Sequence, residues 1–281
     1  MFHASSFMKI LFLGDIVGKP GRKAVATILP KLKAEYAPDL TIANAENLAH
    51  GKGVTLQTVG ELHEAGVDFF TSGNHVFDKP EGANEVFEKY SDRIIRPANF
   101  VSETNLPGEG YKIFQARNGT PVLLINLNGQ VFMETQFDLG KVGNPFIKLN
   151  EILAEAGEKA KIKILDFHAE ATSEKRAMGF WADGRLSAVL GTHTHVATAD
   201  AQVLRGGTGY LTDLGMVASA QSVIGVTAES ALKRFLAGES LEKRFPLELA
   251  DTGKFEAGYC IVEIDDATGK CQNIKGYLES F

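Results

Sequence analysis

Two histidines spaced two residues apart, His193 and His195 in "GTHTH", stand directly behind the apolar run "LSAVL". Imidazoles at that spacing in an extended segment share a face and can reach one metal ion or two adjacent ones. The same placement of polar groups recurs along the chain. Asp15 follows "LFLG", Glu46 and Asn47 follow "LTIANA", Asn74 and His75 follow "DFFTSG", and His168 follows "IKILDF". Apolar runs that end in carboxylate, amide or imidazole groups are expected where a ligand binds at the carboxyl ends of strands. One Asp, one Glu, an Asn and three His exceed the needs of a single ion. They suit two ions about 3.5–4 Å apart with a carboxylate between them. Nitrogen and oxygen donors without thiolate favour Fe or Mn, with Zn also acceptable. His50, in the Gly-rich "ENLAHGKG" near Glu46, is a candidate substrate contact.

The elements that would carry these groups alternate in type. "KILFLGD" reads as a strand and "GRKAVATILPKLKAEY" as a helix that Pro30 must kink or break. "DLTIANAEN", the helical "TLQTVGELHEAG" and the strand-like "VDFFTSGNH" follow. This alternation predicts right-handed crossovers and a largely parallel sheet. A second set of strands runs through "GYKIFQA", "PVLLINLNG", "KIKILDFH", "LSAVLGTHTH" and "GYLTDLG". The tail "AGYCIVEIDDATGKCQNIKGYLES" reads as two strands around an Asp/Gly turn. Segments 129–145 and 215–226 have weak periodicity and read as lid-like loops. The strand count calls for an α/β fold of two packed sheets with helices outside, in one domain over residues 8–281 with residues 1–7 as an extension.

Totals limit the partners. A formal charge of −6, with no basic stretch, argues against a nucleic-acid polymer as substrate but permits a small phosphate ester held by metal ions. Cys260 and Cys271 would fall in different cross-strand pairs of the terminal hairpin, so no disulfide is expected and a reducing cytoplasm is the default. No signal peptide or membrane-length apolar run is present in the sequence. A homo-oligomer is compatible with all of this.

The "GD", "GNH" and "GTHTH" blocks resemble the calcineurin-like metallophosphoesterases. Two departures from the common pattern, "DIV" where Asp-x-His is usual and Glu46 where a bridging Asp is usual, resemble a narrower group, the YmdB-type phosphodiesterases. "GDIVGKPGR", "NAEN", "TSGNHVFD", "DFHAEATSEKRAMGFWADGR" and "VLGTHTHVATAD" carry that likeness from Met8 onward. "MVASAQSVIG" departs from it, lacking a Thr-Gly-Pro-like turn after Met216.

The resemblance implies a four-layer sandwich of two mixed β-sheets flanked by helices. It also implies one metal on Asp15, Glu46, Asn47 and His195, and a second on Glu46, Asn74, His168 and His193. His75 would then be the general acid, and a metal-bridging hydroxide would open 2′,3′-cyclic nucleotides such as 2′,3′-cAMP to a nucleoside monophosphate. The same metals could serve a phosphomonoesterase or nuclease, or a regulatory protein that only binds.

Overall fold

The computed structural model describes residues 7–101, 105–116, 118–133, 141–237 and 245–281. The proposed extension 1–7 therefore lies outside the described residues except for Phe7, which already belongs to the first strand. The elements run β1 (Phe7–Ile16), α1 (Gly18–Tyr36), β2 (Leu40–Asn44), α2 (Leu56–Ala65), β3 (Phe69–Thr71), α3 (Pro80–Lys89), β4 (Phe100–Val101) and β5 (Tyr111–Gln115). They continue through β6 (Pro121–Asn128), β7 (Lys141–Val142), α4 (Pro145–Ala156), β8 (Ile162–His168), α5 (Thr172–Ala182) and β9 (Ala188–Thr192). β10 (Gln202–Val203), β11 (Gly209–Leu211), β12 (Met216–Ser219), α6 (Ala228–Ala237), β13 (Phe255–Asp265) and β14 (Cys271–Ser280) complete the chain.

Two six-stranded sheets result, ordered β14-β13-β12-β1-β2-β3 and β10-β11-β9-β8-β6-β5. The expected parallel pairing holds at their centres, where β12, β1, β2 and β3 run together, as do β11, β9, β8 and β6. Their margins are antiparallel: β13 pairs with β1, β12 and β14, β5 with β6, and β10 with β11. Both sheets are therefore mixed, because hairpins close edges that crossover helices cannot reach.

Alternation along the strands sorts side chains into layers. Met8, Ile10 and Phe12 of β1 meet Val122, Leu124, Ile164 and Leu190 between the sheets. Leu11 and Leu13 point the other way, under α1, α2 and α3. Leu123, Ile125 and Leu127 of β6 likewise turn outward to Leu149, Ile152 and Met178 of α4 and α5. The order helix–sheet–sheet–helix is the four-layer α/β sandwich of the calcineurin-like phosphoesterases.

Three local expectations are corrected. Of the kink or break expected at Pro30, the break does not occur: α1 continues through it, and Pro30 and Ala26, whose carbonyl loses its partner, both face solvent. Residues 216–219 are not loop: Met216–Ser219 is a fully buried strand between β1 and β13. Within 129–145, the described part includes the short strand β7 and the start of α4, while residues 134–140 lie outside the described residues. The cysteines meet expectation: Cys260 pairs with Gly276 and Cys271 with Ile264, and both are free and buried. Among the described residues no helix is long and apolar enough to cross a membrane.

Candidate metal centre

The carboxyl ends of β1, β2, β3, β8 and β9 converge on one rim of the sandwich. Asp15, Glu46, Asn47, Asn74 and His168 are all buried there. His168 Nε2 lies 3.0 Å from Asn74 Oδ1, 3.0 Å from His193 Nδ1 and 3.2 Å from Glu46 Oε1. His195 Nε2 lies 3.2 Å from Asn47 Nδ2 and 3.9 Å from Asp15 Oδ1. Asn47 Nδ2 also donates to Glu46 Oε1 at 3.0 Å. All seven ligand candidates thus stand together, in two groups that meet at Glu46. Glu46, His168 and His193 by themselves have the spacing of a metal site.

Hydrogen bonds behind the rings decide which nitrogens face the centre. Burial pushes the Asp166 carboxyl up, while Thr71 Oγ1, Asn44 Nδ2 and Thr192 Oγ1 all donate to it and support the carboxylate form. Thr192 Oγ1 donates to that carboxylate at 2.6 Å, so it accepts from His168 Nδ1 at 2.8 Å. Glu170 Oε2 accepts from His193 Nε2 at 3.1 Å, and the Ile224 carbonyl accepts from His195 Nδ1 at 3.0 Å. Each ring therefore has an acceptor for a proton on its outer nitrogen, which lets the inner nitrogen offer a lone pair, the tautomer a metal ligand needs. Burial further lowers the proton affinity of His193 and His195.

Two inward lone pairs, His168 Nε2 and His193 Nδ1, face each other at 3.0 Å and repel unless a cation lies between the donors. Asp15 Oδ1 is buried with no hydrogen-bond partner. Burial, then the charges of Glu46 and Asp213, push the Asp15 carboxyl up. An orphaned carboxylate oxygen and bare imidazole nitrogens in one buried cluster fit divalent cations, as the phosphoesterase fold implies.

The "GTHTH" loop is held in an uncommon conformation. His193 has φ 99° and His195 φ 64°, both in the left-handed region. That cost persists because the surroundings over-determine the loop. His193 N–H donates to Asp15 Oδ2 at 3.0 Å and Thr194 N–H to Asp213 Oδ2 at 3.2 Å. Buried Lys175 bonds the Thr192 carbonyl at 2.7 Å and Asp213 Oδ2 at 2.5 Å, so α5 anchors the loop from behind.

The matching family model is that of the YmdB-like proteins, and it spans residues 11–277. The chain belongs to that family. A Bacillus subtilis protein named 2′,3′-cyclic-nucleotide 2′-phosphodiesterase is 43% identical over 273 residues, covering 96% of this chain and 97% of its own. The solved structure of a phosphatase from Mycoplasma pneumoniae is 33% identical with a TM-score of 0.89, over 98% of this chain and 94% of that one. A hypothetical protein from Thermus thermophilus is 38% identical with a TM-score of 0.85, over 97% and 99% of the two chains.

His75 of this YmdB-like chain sits beside the cluster and lines its cavity. Its backbone N–H donates to Glu46 Oε2 at 2.9 Å, and its Nδ1 meets Asp78 Oδ2 at 2.9 Å. Burial opposes its charge, but the Asp78 hydrogen bond and the Glu46 charge outweigh burial and raise its proton affinity. His50 is placed elsewhere: with φ 59° it is exposed in a neighbouring groove beside Lys19 and Arg22. Gly51 and Lys52 are the residues of that loop that reach the cavity. Sequence reasoning missed Glu170, Asp78, Thr192 and the Ile224 carbonyl. Asp78 alone carried a local signal, three residues after His75 in "GNHVFD".

Thr192→Val should keep the fold but free the His168 ring to take the wrong tautomer. Metal affinity, measured by titration of the apoprotein, is expected to fall about 10- to 100-fold.

Proposed function

We propose that this YmdB-like protein is a metal-dependent phosphodiesterase that hydrolyses 2′,3′-cyclic nucleotides to a nucleoside monophosphate. The observation that carries the reading is the convergence of three imidazoles, bare nitrogens inward, on two buried carboxylates. The name of the B. subtilis relative supports the substrate class. Asp15, Glu46, Asn47 and His195 would hold one ion and Glu46, Asn74, His168 and His193 the other, with Fe or Mn preferred by the donor set and Zn acceptable. Bound cations would supply Lewis acidity toward the phosphoryl oxygens and acidify a water between them. Residues 8–281 are read as one catalytic domain.

The chain's own residues do the remaining work. In the reaction the oxygen of water bonds to phosphorus, one phosphorus–oxygen bond to the ribose breaks, and the departing ribose oxygen takes a proton. His75 would deliver that proton: Asp78 occupies Nδ1, which leaves Nε2 as the ring's other proton-carrying atom. Asn74 would contribute a neutral oxygen donor, and Asn47 would do the same with its amide turned so that Oδ1 takes the place of Nδ2 between Glu46 and His195; neutral donors leave the centre more positive toward an anionic ester. Glu170 holds His193 and Ile224 holds His195, fixing both rings before substrate arrives.

The test is metal content of the purified protein together with hydrolysis of 2′,3′-cAMP, 3′,5′-cAMP and an aryl phosphomonoester. About two ions per chain and selective turnover of 2′,3′-cAMP are expected. Bound metal without turnover of any ester would move the reading to a binding protein. His75→Ala should retain its metal while kcat for 2′,3′-cAMP falls about 10²- to 10⁴-fold, the range of general-acid catalysis.

A further inference from the structure

The cavity over the metal centre, about 640 Å³, has two unlike sides. Glu46, Asn47, Lys52, His75 and Glu170 make one polar; Val223, Ile224, Phe235, Leu247 and Leu249 make the other largely apolar, with Arg234 of α6 beside Phe235. A phosphate needs only the first side. The size lies in the range of sites that enclose a whole small molecule.

The apolar side is built by two features that the metal centre does not account for. Val223 and Val226 exchange backbone hydrogen bonds of 2.9 and 3.1 Å, closing a two-residue turn at Ile224 and Gly225. Both turn residues have positive φ, 47° and 100°. This is the geometry of a type I′ turn, whose first position favours Asn, Asp or Gly. A β-branched side chain rarely adopts it, yet Ile224 does, and its side chain is half exposed on the cavity wall. Its carbonyl meanwhile receives the His195 hydrogen bond, so the turn locks this wall to the metal ligand.

α6 supplies the second feature. Ala231 and Phe235, four residues apart and so on one helix face, both line the cavity. Ala231 is buried, whereas Phe235 is 78% exposed and still lines the cavity. An exposed aromatic ring at the mouth of an apolar wall, in a cavity whose floor takes a phosphate, suits a flat aromatic group carried on the same molecule. In a cyclic nucleotide that group is the base, one ribose ring from phosphorus.

We infer that α6 and the Val223–Val226 turn form the nucleobase subsite, with Phe235 as the stacking platform and Ile224 as its inner wall. The inference rests on the phosphodiesterase reading above and deepens it: the site recognises a nucleotide by its base, chiefly by stacking. Stacking tolerates every base and is strongest for the larger purine rings, so purine 2′,3′-cyclic nucleotides are preferred over pyrimidine ones.

The experiment compares kcat/KM for 2′,3′-cAMP with that for glycerol 1,2-cyclic phosphate, a five-membered cyclic phosphodiester without a base. Phe235→Ala is expected to lower the ratio of the two about 5- to 100-fold, the worth of one stacked base, with the change mainly in KM for 2′,3′-cAMP. Phe235→Trp should restore the ratio. Phe180→Ala, which removes another exposed ring, on α5 and not in the cavity lining, should leave it unchanged. Turnover of both esters by the wild type with an unchanged ratio in Phe235→Ala would overturn this inference alone. Turnover of neither ester by the wild type would overturn the phosphodiesterase reading and the inference with it.

Discussion

Glu46→Gln is expected to empty the metal centre while leaving the fold intact. The substitution keeps the shape of the side chain, and its single amide oxygen can replace one of the two Glu46 oxygens, keeping the bond from the His75 backbone N–H or the one from Asn47 Nδ2 but not both. What it removes is a negative charge buried between the two ligand groups. A unit charge about 4 Å from a singly charged partner is worth about 4 kcal/mol at an effective dielectric of 20. That corresponds to about 10³ in affinity for each ion, and a divalent cation loses no less. Metal analysis after dialysis should therefore find far less than the wild-type content, and hydrolysis of 2′,3′-cAMP should fall by at least the same factor. Retention of full metal content with full activity would sink the shared-ligand assignment.

Gly191→Ala is expected to abolish the native fold or cost more than about 4 kcal/mol, the upper tail of single-residue effects. Gly191 lies in β9, the strand that leads into "GTHTH", and it is fully buried between β8 and β11. A Cβ at this position would fall 1.7 Å from the Thr212 carbonyl oxygen and 2.7 Å from its carbon. Backbone cannot yield that distance without moving the strand. Thr212 precedes Asp213, which holds Thr194 and Lys175, so any movement displaces the histidine loop as well. Denaturant unfolding monitored by circular dichroism should show the loss; a wild-type midpoint would contradict the packing described here. A partially folded variant should also bind metal weakly.

Both predictions concern residues whose importance reaches the sequence very differently. Glu46 stands at the end of an apolar run, where a carboxylate has local meaning as a strand-end ligand. Gly191 is one glycine among many, and nothing nearby announces the Thr212 carbonyl pressed against it. β12 escaped the sequence for a related reason. Its four residues, Met-Val-Ala-Ser, are too short and too weakly apolar to show a period of two, and they become a strand because β1 and β13 leave a slot between them.

By itself the sequence determined the longer strands and the first two helices, the two-sheet architecture and the set of polar residues at strand ends. Those signals are local: apolar periodicity follows from how a strand or helix buries one face, and a polar group at a strand end is read from its neighbours. Only the tertiary structure decided what stands behind and above those residues. Asp166 and Thr192 select the His168 tautomer, Glu170 and Ile224 turn His193 and His195 inward, and α6 sets Phe235 at the opening. His193 and Asp15 are 178 positions apart in the chain and 3.0 Å apart through one hydrogen bond. Such contacts depend on how the two sheets pack, and no window of neighbouring residues contains that information.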